Sequence, residues 1–281
     1  MTTKSLQDLL KERKISTENS SAKPKQVVNI TKEERIKKAR ENMLKSLKLP
    51  RKYQPKDFSD FDASHLDNLT PEALVEDIKR YARSAMKTRK NNWAFLTGDV
   101  GLGKTHLGIA AFKEAACQWA EYIALKNINP HNVGRPDIGR NFHFVTCSEL
   151  MQEIKDSYDS DLFSEHSTLL KYKQAPLLML DDLGTVRASE WQQERLHIIL
   201  NHRYNYYLPT IITTNLNTDA LEVHINKRMM DRIVEATNDG ENIWQLTGSS
   251  YRMRGMADWI QKELKKETGV VKHFKRNNFN R

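Results

Sequence analysis

Four short apolar runs punctuate the middle of the chain: residues 93–97 (WAFLT), 142–146 (FHFVT), 176–181 (PLLMLD) and 210–214 (TIITT), with a weaker fifth at 243–246. Each has strand length and reads as a strand. The stretches between them, notably 104–124, 148–158 and 189–206, read as helices. Thr70 followed by Pro71 predicts a further helix start, running towards Lys87. Apolar strands alternating with helices predict an α/β fold whose parallel sheet is covered on both faces. Residues 126–141 hold two Pro and two Gly and read as an exposed loop.

The first fifty residues follow another pattern. Residues 4–14 predict a short helix with Leu6, Leu9 and Leu10 on one face, and the polar stretch 17–29 around Pro24 reads as linker. Thr31 and Glu34 have capping-box spacing. The helix they start carries Ile36, Met43, Leu44 and Leu47 among Lys and Arg, and Pro50 ends it. Such a narrow apolar stripe suits either packing against the main domain or docking onto a partner.

Composition narrows the class. The chain has 281 residues, 38% hydrophobic and 29% charged, as a globular protein does. It has no run of about 18 apolar residues and its first residues lack an apolar secretion core, so a cytoplasmic protein is expected. Cys117 and Cys147 are too few and too isolated for a zinc site or a disulfide framework. The net charge of +9 is uneven. Residues 1–56 carry 16 Lys/Arg against 6 Asp/Glu, residues 262–281 carry 7 against 2, and the centre carries 22 against 28. Basic ends around an acidic body suit nucleic acid or acidic partners, or solvated tails.

The strongest chemical signal follows the first strand. Gly98-Asp99-Val100-Gly101-Leu102-Gly103-Lys104-Thr105 is a complete phosphate-binding loop, with His106 next to it. Glycines let backbone N–H groups turn around phosphate oxygens, and the following helix points its positive end at the same anion. Lys104 supplies charge to the β- and γ-phosphates of ATP, and the Thr105 hydroxyl completes a Mg²⁺ shell. Asp181 and Asp182 end the third apolar run, at the sheet edge where such folds bind ligands. Asp181 is the candidate Mg²⁺ residue and Asp182 the candidate base for the attacking water. Asn215 ends the next strand, where an amide reaches phosphate or water. Arg228 and Arg232 are four apart, on one helix face, and Arg252 lies in Ser250-Tyr251-Arg252.

In this order the motifs resemble the AAA+ ATPases. GLGKTHL (101–107), LDDLG (180–184), LPTIITTN (208–215), RMMDRI (228–233) and SYR (250–252), with LPRKYQPKDFSDFD (49–62), look like the bacterial replicative helicase loaders of the DnaC/DnaI type. The resemblance implies a five-stranded P-loop AAA+ domain over 49–255, a basic helical partner-binding segment with linker at 1–48, and a basic C-terminal helix or tail at 256–281 with only a minimal lid. It also implies subunits that self-associate through the ATP interface, with Arg232 offered in trans as arginine finger, Arg228 nearby, Asn215 as first sensor and Arg252 as second. Members load a ring-shaped, DnaB-type helicase onto single-stranded DNA and grip it through the N-terminal segment. The helix at 32–48 is the candidate helicase contact here, on the expectation that it stands apart from the ATPase core. Residues 1–56 contain neither Cys nor His, so a zinc-bearing adaptor is not expected. Asp182 stands where many AAA+ proteins have Glu, which implies slow, switch-like hydrolysis.

A grip on single-stranded DNA needs cations and stacking surfaces. Lys155 and Tyr158 after the second strand, and Arg187 and Trp191 after the acidic pair, are the candidates. The alternative is the ATPase helper of a transposition system, the IstB type, which shares most of these motifs.

Overall fold

A computed structural model describes residues 31–88, 90–126, 142–158, 164–184 and 189–253. Its centre is a five-stranded sheet of β1 (Trp93–Gly98), β2 (His143–Thr146), β3 (Leu178–Leu183), β4 (Thr210–Thr214) and β5 (Ile243–Leu246). The order is β2-β3-β4-β1-β5 and every pairing is parallel. Successive side chains on a strand point to opposite faces, so an apolar run feeds two cores. Ala94 and Leu96 of β1, Met179 of β3 and Ile211 of β4 belong to one core; Trp93, Phe95, Leu178, Leu180 and Ile212 belong to the other.

The first core is closed by α1 (Lys32–Ser46), α2 (Pro71–Ser84) and α3 (Lys104–Lys126). The second is closed by α4 (Cys147–Asp156), α5 (Glu165–Lys173), α6 (Glu190–Asn205), α7 (Thr218–Ile225) and α8 (Lys227–Ala236). Capping boxes start three of these: Thr31 with Glu34, Thr146 with Glu149, and Ser189 with Gln192. Arg203 of α6 is fully buried and ties the layer together, donating to the carbonyls of Tyr172, Ala175 and Pro209 and to Thr210 Oγ1 at 2.6–2.9 Å.

Of the two placements open to the first helix, packing on the main domain is the one realised. Met43, Leu47 and Leu49 are buried against α3 and its neighbours, while Leu44 stays exposed. Arg40 bridges Glu114 at 2.7 Å and also pairs with Glu121. Three buried apolar side chains at about 1.5–3 kcal/mol each outweigh partly exposed ion pairs at about 0–1 kcal/mol, so apolar contact sets the position of α1. The expectation that this helix stands apart from the ATPase core is therefore corrected. The expected helix at 4–14 and its linker lie outside the described residues, as do the loop 127–141 and the C-terminal segment after Met253.

Candidate functional site

At the C-terminal edge of the sheet lies a cleft of about 290 Å³. Val100, Gly101, Gly103, Lys104, Thr105, His106, Asp182, Asn215 and Arg252 all line it. The loop itself is built by backbone geometry. Gly101 has φ +89, and a Cβ there would fall 2.0 Å from Ser250 Oγ. That close approach joins the loop to the Ser250–Arg252 turn, whose Tyr251 N–H donates to the Gly101 carbonyl at 3.0 Å. Gly98 ends β1, and the Leu102 side chain is buried beneath the loop. The Asp99 carbonyl accepts from Lys104 Nζ at 2.7 Å. Burial lowers the Lys104 ammonium below its ordinary value, against the charges of Asp182, Asp181 and Asp99.

The acidic pair owes its arrangement to a bulge. Leu180 pairs with Ile212, but Leu183 pairs with Thr214, so Asp181 and Asp182 together oppose Thr213. Asp182 takes φ +57, a left-handed conformation unusual for a residue with a side chain. In a regular strand the two carboxylates would point to opposite faces. Here both serve the same edge. Asp181 is buried, accepts from Thr213 Oγ1 at 2.5 Å and from Thr105 Oγ1 at 3.2 Å. Asp182 accepts from Asn215 Nδ2 at 3.2 Å, and its N–H donates to Thr213 Oγ1 at 3.0 Å. Burial raises the Asp181 carboxyl above the ordinary carboxylate range, opposed chiefly by the Thr213 hydrogen bond.

A second wall comes from residues that local patterns did not flag as site residues. The lead-in segment before α2 contributes Lys52, Tyr53, Lys56, Asp60, Phe61, Asp62 and His65 to the lining. Burial, and then the charges of Asp181 and Asp182, raises the Tyr53 hydroxyl above its ordinary value. Phe61 meets the His106 and His65 rings edge-on at 5.3 and 5.7 Å, and His65 meets Tyr251 at 5.3 Å. His106 Nε2 lies 2.7 Å from the Asp57 carbonyl, so this side chain is held by the lead-in segment. The same segment is stitched to the end of the sheet. Leu66 bridges Gly248, Asp67 N–H donates to Thr247 O, and Asn68 bonds Gln245 O and Thr247 N–H. The sequence signal here was the likeness of LPRKYQPKDFSDFD (49–62) to the loaders, which carries no site assignment, and no short-range rule connects these residues to a site 40 residues on.

Two groups stand outside the cleft. Arg228 and Arg232 project from α8, the first exposed and the second half-buried against α6. Lys155, Tyr158 and Trp191 meet at another edge: Trp191 Nε1 donates to Tyr158 Oη at 3.1 Å, and Lys155 Nζ lies 5.7 Å from the Trp191 ring centre. Arg195, not singled out from sequence, joins them at 5.6 Å over the same ring. Arg187 lies outside the described residues.

No protein-family model matches the chain. The replicative helicase loader DnaI of Bacillus subtilis is 25% identical over 222 residues, covering 73% of this chain and 63% of that protein. The replicative helicase loader DnaC of Escherichia coli K12 is 24% identical over 159 residues, covering 56% of this chain and 55% of that protein. The chain thus spans 63% and 55% of these curated relatives, less than two thirds of either. A crystal structure of the DnaC helicase loader superposes with a TM-score of 0.51 at 22% identity, covering 71% of this chain and 100% of that one, a likeness of fold. The chain is thus similar in sequence to the replicative helicase loaders DnaI and DnaC, and it shares its α/β fold with the DnaC helicase loader.

Proposed function

We propose that this chain is an ATP-switched loader that brings a ring-shaped, DnaB-type replicative helicase onto single-stranded DNA. The observation that carries the reading is the cleft: phosphate loop, Asp182, Asn215 and Arg252 converge on one space, with Asp181 hydrogen-bonded to Thr105 at its edge, in a chain whose curated relatives are helicase loaders. In this reading the loop from Gly98 to Thr105 wraps the phosphates and Lys104 moves from the Asp99 carbonyl to a phosphate oxygen. Asp182, oriented by Asn215, aligns the attacking water, and Arg252 steadies the γ-phosphate in its own subunit. Thr105 Oγ1 and an Asp181 carboxylate oxygen, 3.2 Å apart, are the hard oxygen donors that Mg²⁺ takes, and they would hold it. The ion would neutralise charge between the phosphates. Hydrolysis is slow, because Asp182 is a carbon shorter than Glu and is already engaged by Asn215.

Arg232, with Arg228 beside it, serves the nucleotide of a neighbouring copy, so the ATP interface is also the self-association surface. Lys155, Tyr158 and Trp191 contact single-stranded DNA by charge and stacking, and removing a stacking ring costs about 1–3 kcal/mol per base. The helicase contact is assigned to residues 1–48. Because the apolar side of α1 is spent on α3, the outward basic side of α1 and the residues before it are what remain for a partner. These ends, a cytoplasmic setting and the basic tail at 256–281 complete the proposal.

The test is a pull-down of the replicative helicase from the same cells with ATP, alongside Lys104→Ala. Capture followed by transfer to single-stranded DNA, lost in the variant, supports a loader. Capture of a recombinase instead supports the IstB-type helper. Deleting residues 1–30 removes helicase capture while nucleotide binding persists. A deletion through 48 would strip Met43 and Leu47 from the core and confuse the two effects.

A further inference from the structure

On α6, residues 197, 201 and 204 share one face; on α8, residues 228, 232 and 235 share one face, and the two faces meet. Arg232 Nη1 donates to the Asn201 side-chain oxygen, and its guanidinium carbon lies 5.4 Å from the centre of the Tyr204 ring. Tyr204 is itself held, donating its hydroxyl to Glu235 Oε2 at 2.5 Å. We infer that Tyr204 and Asn201 are positioning residues for Arg232, presenting its guanidinium to the nucleotide of an adjoining copy of this chain. The inference rests on the proposal that Arg232 acts in trans.

The chemistry of the holders carries it. An arginine parked for stability is commonly paired with a carboxylate, which cancels its charge locally. No such ion pair holds Arg232 among the described residues, and Glu235, the acid within reach of that face, is engaged by the Tyr204 hydroxyl. An amide oxygen and an aromatic face orient a guanidinium while leaving its full charge and most of its N–H donors for an incoming phosphate. The hydroxyl stays protonated, since the Glu235 hydrogen bond raises it above its ordinary value. Burial, followed by the Arg232 and Arg228 charges, lowers the neighbouring His197, so this face does not gain a third cation at neutral pH. Holding a four-torsion side chain in place before assembly removes an ordering cost that would otherwise fall on the catalytic step.

The experiment uses the full chain and measures ATP hydrolysis as a function of protein concentration, with binding of a fluorescent ATP analogue measured separately. Tyr204→Ala and Asn201→Ala leave analogue binding unchanged and lower concentration-dependent hydrolysis about tenfold, whereas Tyr204→Phe, which keeps the ring, retains most of it. Each variant is then mixed with Lys104→Ala, which has a damaged site and an intact α8. Hydrolysis returns on mixing, because the second chain supplies the arginine that the first mispositions. Undiminished hydrolysis in Tyr204→Ala overturns the inference. So does failure of Lys104→Ala to rescue Tyr204→Ala while it does rescue Arg232→Ala. If Arg232→Ala is itself not rescued, the trans assignment of Arg232 falls, and the positioning role falls with it.

Discussion

Thr213→Val is the sharpest single test of how the acidic pair is held. The Thr213 hydroxyl is buried and has two roles: it donates to Asp181 Oδ1 at 2.5 Å and accepts the Asp182 N–H at 3.0 Å. Valine keeps the branched shape, including the methyl that faces Gly108 of α3, so no cavity opens. What is lost is a hydrogen bond to a charged group, about 1.5–3 kcal/mol, together with the acceptor for a buried N–H, about 1–3 kcal/mol. Because one hydroxyl serves both, the losses overlap, and about 3 kcal/mol is expected at neutral pH. The pH dependence has a definite sign. Asp181 already holds its proton more tightly folded than unfolded, so stability falls as pH climbs from the ordinary carboxylate range through the raised value. Losing the Thr213 donor raises that value further, so the part of the deficit due to Asp181 fades in mild acid and is full at neutral pH, while the part due to the Asp182 N–H persists at every pH. Urea denaturation at several pH values measures it, with Thr213→Ser as the control that keeps the hydroxyl. A Thr213→Val protein within about 0.5 kcal/mol of the parent at every pH would refute the account of the bulge, since that is the scale of an ordinary surface change.

Other consequences are open to direct measurement. Lys104→Ala should weaken ATP binding by at least about thirtyfold, as expected for losing a charged hydrogen bond of about 2 kcal/mol, read by titration with a fluorescent analogue. Gly101→Ala places a methyl against Ser250 Oγ at a positive φ, and should cost about 1–2 kcal/mol for the backbone alone, with Ser250→Ala relieving only the clash; thermal melts separate the two parts. Arg203→Met strips its donor from the buried carbonyls of Tyr172 and Ala175, and one of two from that of Pro209, which keeps the Leu178 N–H; it should lower stability by about 3–5 kcal/mol without altering nucleotide affinity per folded molecule. Binding to single-stranded DNA should weaken in Trp191→Ala and fall steeply as salt rises; a salt-independent affinity would remove Lys155 and its neighbours from that role.

The inner strands are legible because they are buried on both faces and bounded by polar or turn residues, and β4 spans the expected 210–214. The third was expected to stop at Asp181, since acids commonly end strands. It runs to Leu183 because the bulge at Asp182 keeps pairing with β4. Such a bulge depends on the hydroxyl of Thr213, 32 residues from Asp181, and no local pattern announces it. Two of the shorter helices, α5 and α7, were not anticipated; α5 mixes polar and apolar positions without a clear period, and α7 has only eight residues. The phosphate loop and the acids were readable because their chemistry is tied to a strand end. Lys52, Tyr53, Phe61 and His65 were not, because they reach the cleft only through long-range packing of the lead-in segment.

That segment and the end of the sheet lie side by side across the cleft, joined by Leu66 with Gly248 and by His65 O with Ser249 N–H. The cleft is thus also a clasp between the lead-in segment and the end of the sheet. A ligand bound there at a hundredfold its dissociation constant adds about 2.7 kcal/mol to the closed form. A ligand in the cleft would then act on the lead-in segment and the end of the sheet at once, tightening them together when the cleft fills and slackening them together when it empties. The two segments would respond as one, though about 180 residues of sequence separate them.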